Sequence, residues 1–392
     1  MSRAVMAGVL LACFVHAEIS TATMGLSVVA LTVINSVALF RSRETVVIPP
    51  VALLLFLTWW GMVGLVHAPD VPYAGYTALK VVALILVATS ARTLGARSVE
   101  PLTRAAIFAL PALLLLALAE IFGLNAPYPR RDGETFRLIG DNSLVPGLGM
   151  RVMATTGYAI TLGLIAATLA ALLVYAAVSS RRWVLLLPAA AGLVVVALSG
   201  TRTAVIAVAV AVAVGLVSDR RTRRVALRIG IPILILGVIA IAGYAIASGI
   251  VATQSWQHRW GVFWSVGRMF ERPWHEVLFG SGFSDVSSLV TSGALGGDSW
   301  LGVVDNEFIR VTAGLGLVGV VLLIVSVAAA LVASTPGQRV VVVSLVIGAL
   351  AYDSGTWLSL LVLFVIALAG RADSDSPVRP ERSVAERGVP AP

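Results

Sequence analysis

The chain has 392 residues, of which 58% are hydrophobic and only 12% are charged. Its mean hydropathy is +0.96, whereas about a quarter of the residues in a soluble domain are charged. This composition excludes a soluble globular protein and a disordered chain, and Cys13, the sole cysteine, excludes an internal disulfide. The apolar segments are long and continuous, so they predict an all-α polytopic membrane protein and not a transmembrane β-barrel.

Twelve apolar segments predict transmembrane helices. In chain order they cover residues 4–19, 22–40, 48–67, 75–92, 104–123, 151–178, 183–199, 202–217, 229–250, 306–333, 339–351 and 354–370. The first also resembles a signal peptide, but a chain with many spans inserts without one, so we expect it to be retained. We expect a single integral membrane domain over residues 1–370 and a charged, disordered cytoplasmic tail over residues 371–392.

The arginines predict how the chain is oriented. If the N-terminus is cytoplasmic, eighteen of the 28 basic residues fall inside, including those in the short connections 179–182 and 219–224. Both termini are then cytoplasmic, and a bacterial inner (cytoplasmic) membrane is the expected location. The arginines flank apolar segments and form no single stripe, so the net charge of +8 reflects topology and not nucleic-acid binding. The ten outer basic residues predict an anionic ligand on the outer face.

Two predicted outer loops, 124–150 and 251–305, are long enough to suggest a function. In the second, Trp256, Trp260 and Trp264 recur at every fourth position. This spacing predicts an amphipathic helix over residues 255–271 that lies on the outer membrane surface. A simple interfacial anchor explains the tryptophans equally well. The Gly-Ser-Gly sequence at 280–282 predicts a turn.

Several outer residues are candidates for binding an anion. Ser199 or Thr201 can cap the helix that follows, which would put Arg202 at a helix N-terminus, where a phosphate is favoured. Arg259, with His258 beside it, is the second candidate. Weaker candidates are Arg268, Arg272 and, in the first loop, Arg137. For each arginine the alternative is a side chain that extends to lipid headgroups or solvent.

Acidic residues open the tenth predicted span. Asp305 and Glu307 flank Asn306 there, and they serve either as a helix cap or as a source of a general base. The glycines at 314, 316 and 319 predict close helix packing. Asp353, at the outer end of the eleventh span, is expected to pair with an arginine. The chain has no Walker A, H-E-x-x-H or G-x-S-x-G motif, so we expect no nucleotide, metal or other cofactor and a substrate that is already activated.

Taken in order, these motifs resemble those of the O-antigen polymerase and O-antigen ligase superfamily. The small-residue–Arg motif of that family is matched at 199–202, its loop arginine and aromatic by Arg259 and Trp264, and its Gly-x-Gly turn at 280–282. The sequence 137–140 resembles its Arg-x-x-Gly motif. The His-Asn pair and following Gly-x-x-Gly are matched by Asn306 and the glycines at 316 and 319, but Asp305 stands in the place of the histidine.

The resemblance implies a fold of the GT-C type and a metal-independent, inverting glycosyltransferase. Its donor would be a polyprenyl-diphosphate-linked glycan, and its acceptor a sugar hydroxyl on a glycan or lipid-linked glycan. Arg202 and Arg259 would hold the diphosphate, and Asp305 would accept the proton, unless His258 or His275 does so. The implied substrate-binding residues are Arg137, Ser199, Thr201, His258, Trp264, Arg268, Asn306 and Glu307. The change at Asp305 favours a polymerase over a ligase.

A multi-span transporter or flippase of a lipid-linked glycan is the alternative. Carriers keep ionisable residues near the middle of the membrane and show paired repeats. Here the predicted spans are nearly free of charge, and the polar residues gather at one face, which favours surface chemistry.

Overall fold

The computed structural model describes residues 1–14, 21–42, 45–123, 142, 144–145, 147–230, 254–283 and 304–370. All regular secondary structure in these ranges is helical. The principal helices are α1 (Ser2–Phe14), α2 (Thr21–Phe40), α3 (Val51–Val66), α4 (Val71–Leu94), α5 (Val99–Ile121), α6 (Ala159–Ser180), α7 (Leu186–Ser199), α8 (Arg202–Ser218), α9 (Gln254–Trp264), α10 (Trp274–Phe279), α11 (Glu307–Ala333), α12 (Pro336–Ala349) and α13 (Leu358–Leu368).

Helices occupy eleven of the twelve predicted spans. The ninth, 229–250, lies almost wholly outside the described residues, as do most of the 124–150 loop and the 371–392 tail. Among the described residues, three helical stretches are long and apolar enough to cross a membrane, namely Val71–Ile121, Ala159–Ser180 and Glu307–Ala333. The described chain is therefore all-helical and has the character of an all-α membrane protein, whereas twelve crossings and a GT-C fold stay predictions.

The sixth span begins later than the sequence predicts. Residues 151–153 have no regular structure, residues 154–157 form turns, and α6 starts only at Ala159. The reason is a buried carboxylate on α5: Oε2 of Glu120 accepts hydrogen bonds from the backbone N–H groups of Met153 (3.0 Å) and Ala154 (2.8 Å). Hydropathy does not reveal such a long-range contact, so the predicted start at 151 is wrong.

Helix α6 forms the core of the bundle. Most of its side chains are buried, because it is apolar on every face and rich in small residues. It packs against α5, α7, α8, α12 and α13. Two hydrogen bonds between hydroxyls join it to its surroundings, from Thr168 to Ser344 (2.9 Å) and from Thr161 to Tyr352 (3.1 Å). Such bonds between helices suit an apolar environment that contains few other partners.

Helix α11 is interrupted at Gly316, where φ is 69° and ψ is −172°. The carbonyl oxygens of residues 313–315 accept hydrogen bonds from outside α11. The backbone N–H groups of Ser281 and Gly282 donate to residues 313 and 314 (3.3 and 2.9 Å), and Trp59 Nε1 donates to residue 315 (2.9 Å). The glycine is required because a Cβ here would meet the backbone just before Gly280. The predicted continuous tenth span is therefore broken one-third of the way along.

We expect Gly163→Ala in α6 to lower the free energy of unfolding by about 1–3 kcal/mol. The added Cβ would lie 2.6 Å from both the Ser199 and the Thr201 hydroxyl oxygens, so α6 would have to move away from this turn. The measurement is thermal unfolding of the purified protein in detergent. Gly25→Ala in α2 is the matched control, because its Cβ meets nothing within 4 Å. Equal unfolding temperatures for the two variants would contradict this packing.

Candidate functional site

The turn between α7 and α8 is built by its own hydroxyl groups. Ser199 Oγ donates to the carbonyl of Val196 (2.8 Å), and Thr201 Oγ1 donates to the carbonyl of Ala159 (3.1 Å). Both side chains are buried. Thr201 occupies the N-cap position of α8, but its hydroxyl makes no capping bond. The prediction that Ser199 or Thr201 caps α8 is therefore wrong, because both hydroxyls are used to hold the turn against α6 and α7.

Two arginines flank this turn. Arg202 is the first residue of α8, and its side chain is exposed. Arg151, which the sequence analysis did not single out, donates from Nε to the Ser199 carbonyl (2.8 Å) and from Nη2 to Thr201 Oγ1 (3.3 Å). The turn thus carries two guanidinium groups next to the N-terminus of a 17-residue helix, which is an arrangement that favours an anion.

A buried ion pair lies at the start of α11. Arg310 Nε and Nη2 donate to Glu307 Oε2 (2.9 Å) and Oε1 (2.7 Å), and the backbone N–H of Gly355 also donates to Oε2 (2.8 Å). The guanidinium carbon lies 4.2 Å from the centre of the Phe283 ring. Both charged side chains are over 90% buried. Desolvation of such a pair is costly, and the bidentate contact and the Gly355 N–H offset that cost here.

Asn306, and not Asp305, is the cap of α11. Its Oδ1 accepts a bond from the Ile309 N–H (3.1 Å), while its Nδ2 donates to the Leu350 carbonyl at the end of α12 (2.9 Å). Asp305, which directly precedes the N-cap residue, is partly exposed. The sequence placed a cap in this segment, and the structure assigns it to the amide side chain.

The surroundings of Asp353 are not evident from the sequence. It is partly buried, and its Oδ2 accepts a hydrogen bond from the Thr356 hydroxyl (3.0 Å). Burial raises the pKa of this carboxyl group to about 7; Asp305 and Glu307 also raise it, whereas Arg310 and the Thr356 bond lower it. Among the described residues Asp353 forms no ion pair with an arginine, so the predicted pairing is wrong: Arg310 acts on it only through its field, because the Arg310 guanidinium is bonded to Glu307.

Three aromatic rings lie beside this carboxylate. The ring of Tyr158 is nearly parallel to those of Tyr352 and Trp357, at centroid distances of 5.7 and 5.4 Å. Tyr158 directly precedes Ala159, whose carbonyl binds Thr201. The first turn of α6 therefore connects the Ser199–Thr201 turn with the Tyr352–Asp353 segment. Two motifs about 150 residues apart in sequence meet at one end of the bundle.

Helix α9 packs against the beginning of α11. Val262 belongs to a small buried cluster with Val304, Ile309 and Ala313. Trp260 and Trp264 are exposed on another face, with ring centroids 5.5 Å apart. The α-helix ends at Trp264 and continues as a 3-10 helix to Glu271, so the predicted helix 255–271 is helical but changes type after Trp264.

Not every predicted site residue is described. The side chains of Arg259 and His258, which belong to α9, lie outside the described part of the structure, and so does Arg137 as a whole. Arg268 is exposed on the 3-10 helix Ser265–Glu271. The functional roles predicted for all the site residues stay predictions. In the described ranges no group of three or more His, Cys, Asp or Glu side chains is arranged to hold a metal ion.

Comparisons with known proteins add no identification. No protein-family model matches the chain, and no curated protein sequence is significantly similar to it.

We expect Glu307→Ala to lower the free energy of unfolding by about 3–5 kcal/mol, because it leaves the buried Arg310 guanidinium without its counter-charge. The double variant Glu307→Leu/Arg310→Met should recover most of this loss, since apolar side chains of similar size can replace a buried pair. Thermal unfolding in detergent measures both. Arg104→Ala, which removes an exposed pair with Glu100, is the control and should change little. A double variant as unstable as Glu307→Ala would contradict this account.

Proposed function

We propose that the chain is a membrane glycosyltransferase that moves or polymerises a polyprenyl-diphosphate-linked oligosaccharide onto an acceptor sugar hydroxyl on the extracytoplasmic face. The observation that carries the proposal is the group of buried or partly buried charges, Glu307, Arg310 and Asp353, at one end of an apolar bundle. Ionisable groups are expensive inside a membrane protein and mark functional sites there.

The basic residues near the α7–α8 turn suit the donor. Arg202 and Arg151 can neutralise a diphosphate, and the N-terminus of α8 adds a partial positive charge. The resemblance assigns Arg259 of α9 to the diphosphate as well, and Val262 of the same helix is buried in a cluster with Ile309 and Ala313 of α11. These groups would stabilise the charge that develops on the diphosphate as it leaves.

An apolar crevice runs between α3, α11, α12 and α13 and reaches Glu307 and Gly355. Its walls include Trp60, Phe364 and Leu361. The crevice has room for about one water molecule, so it is a gap between the helices and not a binding groove for an isoprenoid chain. A lipid-linked donor would lie in the bilayer beside these helices, with its diphosphate at the charged end.

The rings of Tyr158 and Trp357, which are partly exposed, suit the acceptor, whereas the Tyr352 ring is buried. The apolar face of a pyranose ring packs well on aromatic rings, and Asp353 is adjacent to Tyr352 in the chain. In the proposed step the acceptor hydroxyl gives its proton to Asp353, and its oxygen forms a bond to the anomeric carbon of the donor. The bond from this carbon to the diphosphate breaks, and its electron pair leaves with the polyprenyl diphosphate. Asp305 assists by repulsion, which keeps the pKa of Asp353 high.

One observation favours the alternative, a transporter or flippase of a lipid-linked glycan. The break in α11 at Gly316 is typical of carriers, which often bind substrate where a spanning helix is interrupted. In this chain, however, the three peptide carbonyls next to the break are all bonded to protein donors. The charged residues lie towards the start of α11 and not at the break, which favours the transferase.

In cells that lack this protein, complementation with Arg202→Ala or Arg259→Ala should abolish glycan transfer while membrane insertion is retained. The measurement is the length and carrier of the glycan. Loss of long chains, with single repeat units left on the lipid carrier, indicates a polymerase, and long chains that accumulate on the carrier indicate a ligase. The control is Arg104→Ala. Arg104 is exposed near the start of α5, at the end of this helix away from Glu120 and the candidate site. Full transfer in both arginine variants would refute the donor assignment, and lipid-linked units trapped on the inner leaflet would establish the transporter.

The rate of transfer should fall as the pH drops below about 7, because Asp353 must be ionised to accept a proton and its pKa is about 7. Asp305→Asn should shift this limb to lower pH, since it removes one of the charges that raise the pKa of Asp353. Asp353→Asn should abolish transfer at every pH. The test is the pH–rate profile of the reconstituted enzyme. The opposite pattern, activity in Asp353→Asn and none in Asp305→Asn, would make Asp305 the proton acceptor.

A further inference from the structure

A second charged surface lies at the other end of the bundle from the candidate site. Helices α6 and α8 both begin next to the Thr201 turn and run in the same direction, and Tyr175 near the end of α6 donates a hydrogen bond to Asp219 just after α8 (3.3 Å). At about 1.5 Å per residue, the 22 residues of α6 span about 33 Å. This length matches the hydrocarbon core of a bilayer, so the two charged ends would lie in opposite leaflets.

We name this surface the basic patch and define it by six arginines. They are Arg181, Arg182, Arg220, Arg221, Arg223 and Arg224. All six side chains are exposed, and no described residue forms an ion pair with any of them. Arg228, also exposed, continues the patch along the chain.

The turn that carries four of these arginines is fixed by its own hydrogen bonds. Asp219 Oδ1 accepts from the Arg221 N–H (2.9 Å), and its Oδ2 is the acceptor for Tyr175. The Thr222 hydroxyl donates to the Leu216 carbonyl (2.7 Å). The nearest carboxylate in the chain is therefore occupied in holding the turn, and these bonds fix the backbone that carries residues 220–224.

Large apolar side chains are interleaved with the arginines. Trp183, directly after Arg182 in the chain, is 61% exposed, and Leu187, in the first turn of α7, is 73% exposed. Leu227 is exposed next to Arg228. A surface for nucleic acid or for an acidic soluble protein has no need of exposed aliphatic side chains, whereas tryptophan between arginines is typical of the boundary between headgroups and acyl chains.

We propose that the basic patch is a binding site for the headgroups of anionic phospholipids in the leaflet at this end of the bundle. The guanidinium groups donate paired hydrogen bonds to the phosphodiester oxygens, and Trp183 and Leu187 lie among the upper parts of the acyl chains. Such clusters next to a membrane helix are favourable sites for acidic lipids. The proposal depends only on residues at this end of the bundle, so it does not depend on the proposed transferase activity.

The test is native mass spectrometry of the full-length protein in detergent, titrated with cardiolipin and, in parallel, with phosphatidylcholine. We expect the wild type to bind cardiolipin preferentially, and the variant Arg220→Gln/Arg223→Gln/Arg224→Gln to bind it at least tenfold more weakly. The matched control is Arg3→Gln/Arg41→Gln/Arg104→Gln, which removes the same charge from exposed positions outside the patch and should change the affinity less than twofold. Circular dichroism and gel filtration verify that both variants are folded.

Two further arms identify the ligand. Trp183→Ser should weaken cardiolipin binding several-fold without altering the binding of inorganic phosphate, because the indole contacts only the lipid. A wild type that binds inorganic phosphate or a 20-base oligonucleotide as tightly as it binds cardiolipin would overturn the proposal in favour of a soluble anion. Equal losses in the two triple variants would overturn it as well, since they would mean attraction by net charge and not by a site.

Discussion

The first turn of α6 is the point on which the rest of the site depends. Its backbone carbonyl at Ala159 receives the Thr201 hydroxyl, its Tyr158 ring lies against Tyr352, and Thr161 bonds to the same tyrosine. Because α6 is buried almost throughout, this turn cannot move without disturbing five neighbouring helices. A rigid central helix therefore sets the relation between a basic turn and an acidic cluster, which the proposed transfer between two bound substrates would require.

The positions of the helices could be predicted from hydropathy, since long apolar segments have few alternatives in a membrane. What could not be predicted depends on contacts between distant residues. The late start of α6 follows from Glu120, and the break in α11 follows from a segment that approaches it from 280–282. Among the site residues, the roles of Asp305, Glu307 and Arg202 and their place on the outer face stay predictions, and the special surroundings of Asp353 arise only when α11 and the 352–356 turn meet. The hydropathy pattern of the sequence does not reveal this contact between distant residues.

The electrostatics of the acidic cluster explain why two similar carboxylates differ. Glu307 has a guanidinium in bidentate contact and a backbone N–H as a third donor, so its charge is compensated. Asp353 has one hydroxyl donor and lies in the field of two other acids. One carboxylate therefore holds Arg310 in place, while the other is poised to exchange a proton near neutral pH. Different surroundings can thus give two neighbouring carboxyl groups different pKa values, so that one stays charged while the other exchanges a proton.

The interruption of α11 has a consequence for biogenesis. Three of its peptide carbonyls are bonded by donors from Ser281, Gly282 and Trp59, all of which precede α11 in the chain. When α11 leaves the ribosome, its partners have already been synthesised, and the broken helix can be completed as soon as it enters the bilayer. The order of the sequence thus spares the chain a period in which unbonded carbonyls face lipid. A circular permutation that placed α11 before α3 would remove this advantage although the same donors and carbonyls would still be present in the chain.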